Sequence, residues 1–159
     1  IEKRVVTASL NKNINITKLK RGDSLSIGNF NFLVINNNFT DENDASTVLF
    51  GMIYSSKILL MGDASVRSEQ DIINSYNLPK IDILKVGHHG SNTSSSEKFI
   101  DEINPKYSLI SVGENNRYGH PKKSVLNTLS NSEIYRTDLD GNIEIEFNNK
   151  GYNIRTCSS

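Results

Sequence analysis

Lys85-Val86-Gly87-His88-His89-Gly90-Ser91 follows the apolar run at 81–84 and leads into Ser94-Ser95-Ser96. A short apolar run bounded by turn residues reads as a buried strand, expected over 81–86. Ser94 and Glu97 have capping-box spacing, so a helix is expected through about Ile103, with Pro105 ending it. The local order is strand, histidine pair, helix. In open α/β sheets ligands collect beyond the carboxyl ends of strands. The pair therefore stands where such a site forms.

The same order extends on both sides. Upstream, residues 57–61 read as a strand that ends at Gly62-Asp63, and apolar residues at helical spacing over 64–76 predict a helix. Downstream, 107–112 reads as a strand, followed by Asn116-Arg117-Tyr118-Gly119-His120-Pro121. Pro121 suits the first turn of a helix reaching Leu129. Residues 133–136 read as a strand, Asp140-Gly141 as a hairpin turn into 142–147, and 152–155 as a strand closing the sheet. The first third is all strand. Alternation over 14–20, a turn at Arg21-Gly22-Asp23, extended chain at Leu25 and Ile27, a turn at Gly28-Asn29 and a strand at 30–35 lead to a polar loop at 36–44. A β-rich run at 46–53 then turns through Tyr54-Ser55-Ser56. Strands that begin to alternate with helices define an α/β class, an α+β layering of sheets covered by helices.

The chain has 159 residues, one domain's worth or a large piece of one. Eighteen basic and eighteen acidic side chains cancel, so no global charge points to nucleic acid or an anionic membrane. A mean hydropathy of -0.43 fits a soluble globular protein. No apolar run approaches the roughly 18 residues that span a bilayer. The single cysteine, Cys157, excludes an internal disulfide framework and a cysteine-based zinc ribbon. No signal peptide is visible, and a start at Ile1 rather than Met suggests a processed or trimmed product.

All three histidines fall in the two motifs. An imidazole just past a strand can direct a ring nitrogen at a metal, and flanking glycines allow close approach. The alternative for His88 and His89 is a pair of loop histidines bonded to Ser91 or a nearby carboxylate. Asp63 is open to two readings that do not exclude each other: an N-cap and a metal ligand. His120 can hold a proton for a leaving group, and Arg117 can clamp the same anion. The plain reading of both is a helix-capping loop. Ser91, Asn116 and Tyr118, in the same segments, are candidate substrate contacts. Asn43 and Ser46 are weaker candidates, read first as loop and strand start. Asp138-Leu139-Asp140-Gly141 lacks the remaining positions of a calcium loop. Ser94-Ser95-Ser96 has no nucleophile elbow around it.

Taken in order, Asn43-Asp44-Ala45-Ser46-Thr47-Val48-Leu49, Ile58 to Asp63, Asp82 to Ser91, Asn116 to Pro121 and Tyr135-Arg136-Thr137-Asp138 resemble the second half of a metallo-β-lactamase-fold hydrolase. The subgroup is the ComEC-like competence-protein hydrolases, and the likeness covers about 14–145. It implies an αββα sandwich with two divalent ions, zinc or manganese, at one edge. Asp63 would bridge the ions, His88 would be the last metal histidine, His89 would face substrate or back the ligands, and His120 would lie near the substrate phosphate. The family's His-x-His-x-Asp-His cluster is absent here. Residues 1–159 are therefore expected to be the C-terminal half of such a domain, with 1–13 as an extended lead-in. The expected partner is the missing N-terminal half or a second copy. The isolated chain is expected to be inactive.

The implied activity is metal-dependent hydrolysis by a metal-bound hydroxide. A phosphodiester, DNA among them, is the first substrate class. The alternatives are an ester, thioester or lactam on the same fold, and a non-catalytic binding module. A ComEC-like parent would place the chain outside the cell or at its surface; otherwise it would be cytoplasmic or secreted.

Overall fold

The computed structural model of the chain describes residues 7, 9, 12, 14–28, 30–36 and 43–157. Strands β1 (Ser24–Ile27), β2 (Phe30–Asn36), β3 (Val48–Ile53) and β4 (Ser56–Leu60) form an antiparallel meander. From β4 onward the pairing is parallel: β5 (Ile83–Lys85), β6 (Tyr107–Ile110) and β7 (Glu133–Arg136) add one after another. The result is one seven-stranded sheet in sequence order. Strands β8 (Asn142–Asn148) and β9 (Gly151–Cys157) form a separate ribbon. The chain is mixed α/β, as its pattern implies.

Each parallel step crosses over through a helix: α1 (Val66–Ser75), α2 (Glu97–Ile103) and α3 (Lys123–Thr128). Parallel crossovers are right-handed, and all three steps move the same way along the sheet, so all three helices cover one face. The packing agrees. Ile72 of α1, Phe99, Ile100 and Ile103 of α2, and Val125 of α3 are buried with Leu59, Leu84 and Ile110 of the sheet. On the opposite face Phe32, Ile58 and Ile83 pack with Ile145, Phe147 and Tyr152 of the ribbon. Burying a side chain of this size contributes about 1.5–3 kcal/mol.

The structure differs from the sequence expectations at several places. Residues 14–20 are not a strand, and Ile14 and Ile16 are exposed. Alternation marks a strand only where a sheet edge takes it up, and here the sheet ends at β1. The Asp140-Gly141 turn does not join β7 to its neighbour. Thr137–Asp140 is a short helix, α4, and the chain then leaves for the ribbon. Arg136 causes this break. Its guanidinium donates to Asp138 at 3.0 and 2.5 Å, and its N–H donates to Asp140 Oδ2 at 2.7 Å. Residues 152–155 accordingly pair with β8 and do not close the main sheet. Pro121 lies outside α3, after a cis peptide bond. The lead-in at 1–13 and the loop at 36–44 fall largely outside the described residues. Among the described residues no helix is long and apolar enough to cross a membrane.

Gly51 of β3 has no room for a side chain, because a Cβ there would lie 2.4 Å from Cδ1 of buried Phe32. Gly51→Ala is expected to cost about 1–3 kcal/mol in urea denaturation, the usual range for overpacking. Gly113→Ala, where a Cβ meets nothing within 4 Å, is the control that leaves stability nearly unchanged.

Candidate functional site

Asp63 lies just past β4. Gly62 before it has φ +57°, and a Cβ on Gly62 would crowd Ser46 Cβ at 3.2 Å. Ser46 Oγ accepts the Asp63 N–H at 3.1 Å. Asp63 is not the helix cap. Ser65 caps α1, its hydroxyl accepting from Arg67 N–H. The Asp63 carboxylate is thus left half-exposed at the sheet's edge. Buried Asp44 stabilises this corner by accepting from the hydroxyls of Ser65 and Ser68. Asn43 is exposed, and its carbonyl accepts from Ser46 N–H.

His88 and His89 lie just past β5 in a tight turn, Gly87–Gly90. Both are left-handed, at φ 46° and φ 55°. That geometry costs a residue with a Cβ about 1–2 kcal/mol, and such strain concentrates at functional sites. His88 N–H donates to Gly62 O at 2.9 Å, tying this turn to the Asp63 loop. Each imidazole is fixed through Nδ1. His89 Nδ1 donates to Ser111 O at 2.6 Å, and His88 Nδ1 lies 3.2 Å from Thr93 Oγ1. A donor bond at Nδ1 leaves Nε2 as the free lone pair of neutral His89, the arrangement that metal-ligating histidines adopt. His89 Nε2 lies 3.7 Å from Asp63 Oδ1. The structure therefore puts His89, rather than His88, beside the carboxylate. Ser91 is buried and bonded to Thr93 Oγ1 at 3.0 Å, so it backs His88 instead of facing a ligand.

The loop after β6 carries His120. Asn116 clamps its backbone, donating to His120 O and accepting from His120 N–H, each at 2.8 Å. That use leaves the Asn116 amide committed to the loop. The His120 ring is 6.1 Å from the His88 ring and lies nearly parallel to Tyr118, at 5.7 Å and 13°. Arg117 sits over Tyr118 at 4.9 Å and donates to its hydroxyl. The two motifs are docked directly. Lys122 N–H donates to Gly90 O at 2.9 Å, and a Cβ on Gly90 would strike Pro121 Cβ at 2.6 Å.

His89, Ser111, Asn116, Tyr118, His120 and Thr137 line a cleft of about 410 Å³ at this edge. Burial, then the charges of Lys122, His88 and His89, hold the His120 imidazole below its ordinary value. Its Nδ1 is buried without a hydrogen-bond partner. Such a ring is largely neutral near pH 7, and an approaching anion would raise its proton affinity. Lys85, on the ribbon-side face of the sheet, is pushed down by burial, with Asp63 opposing the shift. It donates to Val86 O at 2.9 Å.

Carboxylate and oriented imidazole suit a divalent ion, and donors 3.7 Å apart can both reach one ion at bond lengths of about 2 Å. The number of donors falls short. Among the described residues no three His, Cys, Asp or Glu gather closely enough to hold a metal.

The chain is similar to several known proteins. It is 37% identical to ComE operon protein 3 of Bacillus subtilis (strain 168) over 154 residues, 94% of this chain and 20% of that protein. It is 36% identical over 108 residues to Competence protein ComA of Neisseria gonorrhoeae, covering 65% of this chain and 16% of that one. Recombination protein 2 of Haemophilus influenzae is likewise 36% identical over 108 residues, covering 67% and 14%. Together these relatives support a competence-protein family for the chain, which spans a fifth or less of the length of each. No protein-family model matches it.

Two outcomes follow. Gly90→Ala meets both a left-handed φ of +80° and the Pro121 contact, so it should cost about 2 kcal/mol or more by denaturation. His120 should titrate below 6.5 by NMR. A folded pKa below the unfolded one means the unfolded chain binds more protons, so this group's stability contribution is lost as pH falls from about 6.5 through the folded value.

Proposed function

We propose that the chain supplies part of the site of a metal-dependent hydrolase that cleaves phosphodiesters in DNA, with the metallo-β-lactamase fold of ComEC-like competence proteins. The observation that carries this reading is convergence. Asp63, the strained His88-His89 pair and His120 come from the ends of three adjacent parallel strands and gather at one edge of the sheet, where His89 and His120 line a cleft. The relation to competence proteins supports DNA as the substrate. A divalent ion would supply water activation, and donors from elsewhere in a longer protein would complete its ligand set.

The chain's own residues then divide the work. Asp63 and His89 present an oxygen and a nitrogen donor 3.7 Å apart. His88 is oriented from behind by Thr93. Neutral His120 takes up or passes a proton beside the bound phosphate, and Arg117 neutralises its charge. Tyr118, 60% exposed at the cleft, offers a ring on which a base can stack once Arg117 leaves it for the phosphate.

One observation favours a second reading, a binding module without catalysis: the described donors are too few to hold a metal. Metal analysis of the full-length protein separates the two, since stoichiometric zinc or manganese fits only the first. In that protein, Asp63→Ala or His89→Ala should lower metal-dependent cleavage of a single-stranded oligonucleotide about 100-fold or more. Unchanged turnover would sink the hydrolase reading. Tyr118→Ala should weaken oligonucleotide binding by about 1–3 kcal/mol in fluorescence anisotropy. An abasic strand with the same phosphates should show no such loss.

A further inference from the structure

Glu69 lies on α1, and the chemistry above does not use it. It is 1% exposed, an unusual place for a carboxylate. Burial pushes its carboxyl up, and hydrogen bonds from Ser96 and Ser95 oppose that shift. Its oxygens accept from Ser95 N–H, from Ser96 N–H at 2.9 Å and from Ser96 Oγ at 2.7 Å. All of these donors belong to the segment just before α2. Ser96 is the α2 N-cap but makes no side-chain cap bond, and Ser94 does not form the expected capping box. Glu69 provides that cap from another helix.

Ser94 is thereby free for a different task. Its hydroxyl is 2.9 Å from Gly87 O and 3.1 Å from Ser91 O, and its N–H donates to Ser91 O at 3.1 Å. Gly87 and Ser91 bracket the two histidines. Thr93, whose hydroxyl orients His88, also gives its carbonyl to Val66 N–H of α1 at 2.8 Å. A continuous path of bonds thus runs from α1, through Glu69 and the serines, to both ends of the strained turn.

We propose that Glu69 is a positioning residue for His88 and His89. It pins residues 94–96 against α1, and that segment holds the histidine turn left-handed from behind. The role calls for a carboxylate. Glutamate accepts at both oxygens, whereas glutamine would point its amide hydrogens at donors. An apolar side chain would fill the space but leave buried N–H groups unpaired. The proposal rests on reading the two histidines as functional, but its test does not depend on catalysis.

The test is hydrogen–deuterium exchange by mass spectrometry on the full-length protein, following backbone amides by peptide and each imidazole through its C2 hydrogen. Glu69→Gln should speed amide exchange over 87–96 about tenfold or more, consistent with losing charge-assisted bonds. It should also shift the C2 exchange rates of His88 and His89, while the β8–β9 ribbon stays as it was. Leu129→Ala, which removes a fully buried core side chain, is the control. It should lower stability without moving the histidine rates. Ser94→Ala should reproduce the histidine signature more weakly while leaving the α2 cap intact. If Glu69→Gln loosens only 97–103, or matches Leu129→Ala, Glu69 is a helix cap and the proposal fails. If Glu69→Gln does not fold, Ser94→Ala decides, and unchanged histidine rates there overturn the proposal. A wild-type protein with no nuclease activity would end the hydrolase reading and leave this result standing.

Discussion

The parallel pairing of β4 through β7 is the constraint from which the rest of the structure follows. A parallel neighbour requires a crossover, and a right-handed crossover delivers each strand in the same direction with its helix on the same face. The loops that follow β4, β5 and β6 therefore meet at one edge, carrying Asp63, the histidine pair and His120. No loop has to travel to the site. A register slip along β5 would move its buried side chains to the other face, and with them the turn that carries the histidines.

Bringing loops to one edge does not by itself fix their side chains, and the second layer of organisation does that. The Asp63 loop is bonded to the histidine turn through Gly62 O, and the histidine turn is bonded to the His120 loop through Gly90 O. Glycines stand at the tightest approaches, Gly62 against Ser46 and Gly90 against Pro121. Two left-handed histidines in succession would relax in an isolated peptide. They persist here because backbone bonds on both sides, and the serine segment behind them, leave the turn no cheaper conformation.

Much of this was legible in the sequence, and the failures share a cause. The parallel half could be read because each unit is local: an apolar run, a polar turn, a helical period. The site candidates could be read because the histidines occur only inside two glycine-bearing motifs. What escaped was decided by contacts across long sequence distances. Residues 14–20 alternate as a strand does but lie beyond the sheet's edge. Asp140-Gly141 has hairpin composition, but Arg136 draws Asp138 and Asp140 into a helical turn. Ser94 and Glu97 have the spacing of a cap, and the cap comes from Glu69, about 26 residues away. Ser46 looked like an ordinary strand start, and its hydroxyl holds the Asp63 backbone. A single sequence carries no mark of such partners.

The two faces of the sheet are covered by different elements, and they meet the site in different ways. Three helices cover one face, while the other is covered by a ribbon that reaches Ile58, Ile83 and Tyr107 and leaves Leu49, Leu60 and Leu109 partly buried. Lys85 projects from that same face with a burial-depressed ammonium. Its ammonium is held by the Val86 carbonyl at 2.9 Å and by the charge of Asp63, which opposes the depression. The ribbon-side face thus meets the site through charge, and the helix-side face meets it through packing.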